Sequence, residues 1–324
     1  MLTLKEYGSM IEQKIASWRF PQQPRGLYEP IAYSMAAGGK RIRPSLTLAV
    51  ADFCHADPAV ALGPALAVEM FHNFTLLHDD VMDRADMRRG KPTVHKKWND
   101  STAILSGDAM LTIAGGLLFE STLDMPMRLE MTALFNKTAM EVYEGQQYDM
   151  DFESRGDSVT EREYLEMIRL KTSVLLGCAC QMGALAAGAP LELGAAFYTY
   201  GEKLGLAFQL RDDYLDTYGD PAVFGKEIGG DIANEKKTWL SVMALSDPKS
   251  KPLMEMAFGG GMTGEEKYLT VRRAYDEAGL PKRIEALISH FTTEAMDALL
   301  ETGLPAGEFE FFEKLALKMT ERKI

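Results

Sequence analysis

Apolar residues along this chain recur every three or four positions, the spacing that lays a stripe along one side of an α-helix, and two-residue alternation is scarce. The pattern predicts helices near 2–18, 28–54, 59–84, 100–120, 127–152, 160–188, 191–217, 233–246, 263–278, 281–301 and 307–322. Helix breakers fall between them, among them Pro21-Gln22-Gln23-Pro24, Gly90-Lys91-Pro92, Pro126, Pro190 and Gly219-Asp220-Pro221. Several segments are apolar on nearly every side. The one holding Gly177, Ala179, Gly183, Ala184, Ala186 and Ala187 has the small residues of a helix packed deep in an interior. No linker, composition shift or repeat period divides the chain, so one all-α domain over 1–324 is expected.

Two acidic runs break the apolar pattern. Asp79-Asp80-Val81-Met82-Asp83 follows Phe74-Thr75-Leu76-Leu77, and Asp212-Asp213-Tyr214-Leu215-Asp216 follows Leu204-Gly205-Leu206-Ala207-Phe208. Solvated charge clusters do not normally emerge from apolar stretches. Residues four apart lie one turn apart on one helix face, so Asp79 and Asp83 point together, as do Asp212 and Asp216. Bare, such a concentration of carboxylates is repulsive. A hard divalent cation such as Mg²⁺ relieves it, taking carboxylate oxygens and sharing the rest of its shell with substrate phosphates. A lone run of this kind is usually a solvated helix end or a cap; its repetition in apolar surroundings favours metal.

Charge changes the picture in one respect. The formal net charge is −12 and the pI about 5.0, which argues against general nucleic-acid binding. Basic residues nonetheless gather in four places: Gly38-Gly39-Lys40-Arg41-Ile42-Arg43-Pro44, Arg88-Arg89-Gly90-Lys91, Lys171-Thr172, and Gly225-Lys226 onward to Lys236. Arginine forks suit paired phosphate oxygens, and lysine acts as a point charge. Metal ligands with cations beside them suggest a site for diphosphates. No G-x-x-x-x-G-K-[ST] loop is present, which argues against a nucleoside triphosphatase. Cys54, Cys178 and Cys180 are odd in number and lack C-x-x-C spacing, as free thiols in a reducing compartment would. The start Met1-Leu2-Thr3-Leu4-Lys5-Glu6 lacks a signal-peptide pattern, and the apolar run Val174 to Ala189 is shorter than the roughly 20 residues that span a bilayer. A soluble cytoplasmic protein with no transmembrane segment is expected.

From about Gly38 to Leu240 the motifs, in their order, resemble those of the trans-isoprenyl (polyprenyl) diphosphate synthases. Leu77 to Asp83 with Asp86 to Thr93 is similar to the family's first aspartate-rich motif, and Phe208 to Asp216 to its second. Gly38 to Pro44 resembles the isopentenyl diphosphate loop. Gly107-Asp108, Gly145-Gln146-x-x-Asp149 and Gly225-Lys226 through Lys236-x-Thr238 complete the set. The resemblance implies helices around a deep central apolar cavity, a homodimer, and head-to-tail condensation of isopentenyl diphosphate with dimethylallyl, geranyl or farnesyl diphosphate. It also implies Mg²⁺, three ions per active site.

Residue by residue, the resemblance makes Asp79, Asp83 and Asp212 the main Mg²⁺ ligands and Asp80, Asp213 and Asp216 supporting ones. It assigns Lys40, Arg43, His72 and Arg89 to isopentenyl diphosphate, and Arg88, Lys171, Lys226 and Lys236 to the allylic diphosphate. Thr172 and Gln209 would guide the cation or the departing proton. Ile-Ala-Asn-Glu precedes Lys236 where many members carry a glycine before the lysine, which loosens that assignment. Product length in the family is set ahead of the first motif, here by Phe71, Phe74 and Thr75. Their bulk, with no insertion in the motif, resembles makers of C20 chains, with C15 next. A class I terpene cyclase would normally lack the second run and the Lys40/Arg43 loop, and a non-catalytic subunit of a heteromeric synthase would have one run degraded.

Overall fold

The computed structural model describes residues 1–119, 123–155, 157–220 and 228–321, so Lys226 and the end of the basic tail lie outside the described residues. The chain is α-helical, as its periodicity predicts. The helices α1 Leu4–Ser17, α2 Arg25–Met35, α3 Ile42–Phe53 and α4 Leu62–Met82 precede a hairpin of β1 Met87–Arg88 and β2 Lys91–Pro92. The short α5 Val94–Lys97 then leads to α6 Asp100–Phe119, α7 Met125–Ser154, α8 Glu161–Ile168, α9 Val174–Ala186 and α10 Leu191–Tyr218. Beyond α10 come helices Gly230–Ala233, Trp239–Ser246, Lys251–Met256, Gly264–Glu277, Leu280–Leu300 and Glu310–Glu321.

Contacts divide the chain into two compact units, Met1–Lys137 with Cys178–Tyr198, and Thr138–Gly177 with Thr199–Ile324. The first packs α3, α4 and α6 around Leu46, Val50, Val68, Met70, Met110 and Leu118, all at most 2% exposed. Gly183 on α9 lies against α3 so closely that a Cβ there would stand 2.3 Å from the Thr47 carbonyl. The Thr47 hydroxyl donates to the Ala179 carbonyl at 2.8 Å. The small residues of that segment thus serve close packing, as expected. The second unit has its own core of Met167, Leu210, Trp239, Val271, Tyr275 and Ile284, among others.

Three departures from the periodicity matter for function. The expected helix 28–54 is two helices. Gly38, Gly39 and Arg41 take positive φ of 77°, 143° and 47°, which ends α2 and starts α3 after a loop. The expected helix 233–246 is likewise interrupted between Ala233 and Trp239. The expected helix 160–188 runs through, but Arg169–Ser173 forms a π turn, an inserted residue that breaks the regular phase. The hairpin has no counterpart in the periodicity, because two-residue strands are too short to show alternation. Arg89 and Gly90 turn it with φ of 51° and 72°, the geometry of tight two-residue hairpins.

The apolar run Val174–Ala189 is also not the most membrane-like stretch. Pro58–Met82 and Asp100–Phe119 reach the length and hydropathy of a span, and 67% of the apolar window in the first is buried within the protein.

Candidate active site

The first aspartate run occupies the last turn of α4. Ala85 N–H bonds the Asp80 carbonyl at 3.0 Å and Arg84 N–H the Val81 carbonyl at 3.3 Å, with Arg84 left-handed at φ 52°. This 6→1 and 5→2 pairing closes the helix just past Asp83. The second run occupies the last turns of α10, where Gly219 N–H bonds the Leu215 carbonyl at 2.9 Å. Both runs therefore sit at the negative ends of helix dipoles, which adds to their carboxylate charge.

Within each run the second aspartate is turned inward. Asp80 is 4% exposed, and Arg88 grips its Oδ1 through Nε and Nη2, both at 2.7 Å. Burial raises the Asp80 pKa while Arg88 opposes the shift. Asp213, also 4% exposed, accepts from the Tyr164 hydroxyl and from Trp239 N–H at 3.0 Å. Burial pushes its pKa up to about 7, and nearby Asp231 adds to the rise. Asp216 is half-buried, accepts Asp231 N–H at 3.1 Å, and is pushed up to about 6 by burial and again by Asp231. Asp79 and Asp212 are half-buried and Asp83 is exposed. Among the described residues no three His, Cys, Asp or Glu side chains converge as a closed metal cage. A hard dication such as Mg²⁺ takes one or two carboxylates and fills its shell with water and phosphate oxygens. The raised pKa values of Asp213 and Asp216 come first from burial, with the Asp231 charge adding to both.

In the first unit the basic residues converge. The glycine loop is fastened by Arg41, which turns inward. Its guanidinium is 4% exposed and binds Glu12 at 2.7 Å, Glu69 at 2.5 Å and the Met35 carbonyl at 2.6 Å. Asn73 donates to the same Glu69 oxygen at 2.9 Å. Removing one partner of such a buried pair costs roughly 3–5 kcal/mol, because the other charge stays behind unpaired. Thus anchored, the loop leaves Arg43 beside His72, with Nη1 and Nε2 3.3 Å apart. A guanidinium only donates, so His72 accepts through Nε2 and carries its ring proton on Nδ1. Burial, then the charges of Arg43, Arg89, Arg88 and Arg41, hold the His72 pKa well below its usual value. Burial also draws Arg43 down to about 10, which leaves it charged at neutral pH. Its Nε is buried with no hydrogen-bond partner among the described residues, an orphan donor of the kind an anionic ligand satisfies.

Arg89 reaches back from the hairpin turn to the Gly38 carbonyl. A Cβ on Gly39 would meet its guanidinium at 3.0 Å, so the glycine makes room for this contact. Lys40 is exposed at the head of the loop. Arg43, His72, Arg88 and Arg89 are therefore brought into one electropositive cradle.

In the second unit Lys171 lies in the π turn, and its ammonium binds Asp149 at 2.5 Å. The Gly145-Gln146-x-x-Asp149 spacing now has a physical reason. A Cβ on Gly145 would stand 2.2 Å from Lys171 N, so the glycine lets the helices touch and Asp149, one turn on, meets the lysine. Thr172 is half-buried in the same turn. Gln209 Nε2 donates to Asp213 Oδ1 at 3.3 Å. Lys236 is exposed, with its ammonium 4.0 Å from Asp231.

Phe71 and Phe74 are 1% and 5% exposed, with ring centroids 5.5 Å apart. Phe71 meets Phe135 edge-on at 5.4 Å, and Phe74 meets His78 at 4.7 Å. Gly107 explains the last contact, since a Cβ there would stand 2.4 Å from the His78 ring. Thr75 is half-buried and caps back to the His72 carbonyl at 2.9 Å. Glu69 and Tyr164 belong to no motif that the sequence displays. A glutamate inside Val68-Glu69-Met70-Phe71 is the one visible sign of the first.

Protonating His72 favours the unfolded chain, where its pKa is ordinary. Stability is fully present above about pH 6.5 and falls as pH drops toward the lower folded value, by at most about 1.4 kcal/mol per pH unit. Asp213 and Asp216, whose pKa values are raised, shift stability in the opposite sense over the same range, so the check is a difference: on going from pH 7 to pH 5, urea unfolding should show wild type losing more stability, or gaining less, than His72→Gln.

The profile of the Polyprenyl synthetase family matches residues 24–277. The geranylgeranyl diphosphate synthase of Methanosarcina mazei is 37% identical over 296 residues, 91% of this chain and 90% of that protein. A crystal structure of a geranylgeranyl pyrophosphate synthase superposes with a TM-score of 0.93 at 44% identity, covering 100% of both chains. That of the Corynebacterium glutamicum geranylgeranyl pyrophosphate synthase, complexed with isoprenyl diphosphate and magnesium, gives 0.81 at 28% identity, covering 99% of this chain and 96% of that one. With the family profile spanning most of its length, the chain belongs to the polyprenyl synthetase family.

Proposed function

We propose that this protein condenses isopentenyl diphosphate with an allylic diphosphate, head to tail, to make a C20 trans-prenyl diphosphate. Family membership and the geranylgeranyl synthases it is similar to support the reaction and the product. The observation that carries the reading is the cradle of Arg43, His72, Arg88 and Arg89, whose two hairpin arginines follow directly on the helix end that bears the first aspartate run. A terpene cyclase, which takes one diphosphate substrate, has no use for the orphan Arg43 Nε beside a neutral histidine. The single family match across 24–277 supports one polyprenyl synthetase domain.

In this reading Asp79, Asp83 and Asp212 hold Mg²⁺, and the magnesium complex of the Corynebacterium glutamicum relative supports that metal. Bound Mg²⁺ stabilises the charge that develops on a departing diphosphate. Asp80, Asp213 and Asp216 support the ligand aspartates through Arg88, Tyr164, Trp239 and Asp231. Lys40, Arg43, His72 and Arg89 bind isopentenyl diphosphate. His72, neutral, accepts from Arg43 and steers its guanidinium.

Arg88, Lys171, Lys226 and Lys236 bind the allylic diphosphate, Lys171 preset by Asp149. The allylic C–O bond breaks with its electron pair on the diphosphate. The isopentenyl alkene then closes a C–C bond on the allylic cation and loses a proton to the departing diphosphate. Donors already aimed at the leaving group need no reorganisation as it ionises. Thr172 and Gln209 line the path of the cation or proton. Phe71, Phe74 and Thr75 limit chain length, and the Phe71–Phe135 packing stiffens that stop.

We also propose a homodimer, since Ile104 and Leu105 on α6 are 44% and 60% exposed and Leu129 is 56% exposed. A cytoplasmic location is proposed with it, in keeping with three free cysteines.

Purified protein given Mg²⁺, isopentenyl diphosphate and each of dimethylallyl, geranyl and farnesyl diphosphate should form C20 product; cyclised hydrocarbon or no product would refute the reading. Asp79→Ala should abolish turnover while helical circular dichroism is retained. Phe74→Ala should lengthen the product, read by reverse-phase chromatography of the hydrolysed alcohols, and an unchanged elution pattern would remove Phe74 from that role.

A further inference from the structure

The 229–239 segment between α10 and helix Trp239–Ser246 is fastened at both ends to the second aspartate run. At its start, Gly229 N–H bonds the Asp216 carbonyl at 2.7 Å and Asp231 N–H bonds the Asp216 carboxylate at 3.1 Å. At its end, Trp239 N–H bonds Asp213 Oδ2 at 3.0 Å. That N–H opens a helix and has no partner within it. Lys236 lies between the two anchors. Its own N–H bonds the Asp231 carbonyl at 2.9 Å, and its carbonyl accepts from the Ser241 hydroxyl at 3.0 Å. The backbone of Lys236 is therefore held at the spacing that Asp213 and Asp216 dictate.

What fixes Asp213 is Tyr164. Its hydroxyl donates to Oδ2, the same oxygen that takes Trp239 N–H, and it is 2% exposed. Tyr164 stands on α8, whose start is closed by a reciprocal cap between Thr160 and Glu163. The same helix holds Trp239 a second time, because the indole Nε1 donates to Glu161 at 3.1 Å. One short helix thus grips both the carboxylate and the residue that carboxylate caps.

We propose that Tyr164 is a positioning residue for the proposed reaction. By holding Asp213, it docks the start of helix Trp239–Ser246 and so places Lys236 for the allylic diphosphate. The role of Lys236 rests on the function proposed above; the clamp itself does not. Tyr164→Phe keeps the ring and removes the one donor. Hydrogen–deuterium exchange on the substrate-free protein should show peptides over 229–240 exchanging about tenfold faster, the equivalent of one buried hydrogen bond, with α3 and α4 unchanged. In turnover, KM for the allylic diphosphate should rise about fivefold to tenfold while KM for isopentenyl diphosphate stays within about twofold, as expected when one bond to one subsite is lost.

Asp213→Asn keeps an acceptor oxygen for both donors and should retain the slow exchange, whatever it does to turnover. Unchanged exchange in Tyr164→Phe, faster exchange with an unchanged allylic KM, or lost protection in a helical Asp213→Asn would each overturn the proposal. A wild-type protein that forms no prenyl diphosphate would overturn the proposed function and leave the exchange result to judge the clamp alone.

Discussion

Concentrating carboxylates at the wrong end of a helix is the constraint that the rest of the structure answers. Anions are disfavoured at helix C-termini, and both aspartate runs are placed there. The cost is met by dividing labour within each run. Asp80 and Asp213 turn inward and are satisfied by Arg88 and by Tyr164 with Trp239. Asp79, Asp83 and Asp212 keep at least part of their surface toward water. The runs are therefore not six equivalent ligands but a set of exposed carboxylates braced by buried ones. The raised pKa values of Asp213 and Asp216 show what that burial costs a carboxylate, with Asp231 adding to it.

The basic cradle shows the complementary solution. Arg41 is committed to structure, bound to Glu12 and Glu69, while its neighbour Lys40 is exposed and Arg43 pairs with His72. Arg88 and Arg89, adjacent in sequence, diverge at the hairpin turn. One braces Asp80 and the other the Gly38 carbonyl, so a single turn ties the end of α4 to the glycine loop. Neutral His72 among guanidiniums lowers the repulsion there while still accepting a hydrogen bond.

Much of this is legible in the residues. Helical periodicity carries the all-α class, and the two Asp-Asp-x-x-Asp runs with four basic clusters mark the chemistry. Breaks in the helices at 36–41 and 234–238 escape it because periodicity averages over a window longer than a loop of a few residues. The inward turn of Arg41 is invisible because its partners, Glu12 and Glu69, are 29 and 28 residues away. Tyr164 is unreadable for the same reason, being 49 residues from Asp213. Side-chain partnership across such distances is a property of packing and not of local pattern. Gly145 is legible as part of a motif, but its reason, a helix crossing too close for a Cβ, needs coordinates.

At Arg169–Ser173 the π turn absorbs one surplus residue. In a regular helix, an added residue would rotate every later position by roughly 100°; here the bulge takes up that rotation. Counted residue by residue, the apolar positions of Val174–Ala186 therefore do not continue the wheel set by the residues before the bulge. Excising a single residue from the bulge would restore an ordinary helix and leave the packing on either side in register, while shifting Lys171 and Thr172 off their places. Architecture and chemistry are thereby encoded in separable phases of one helix.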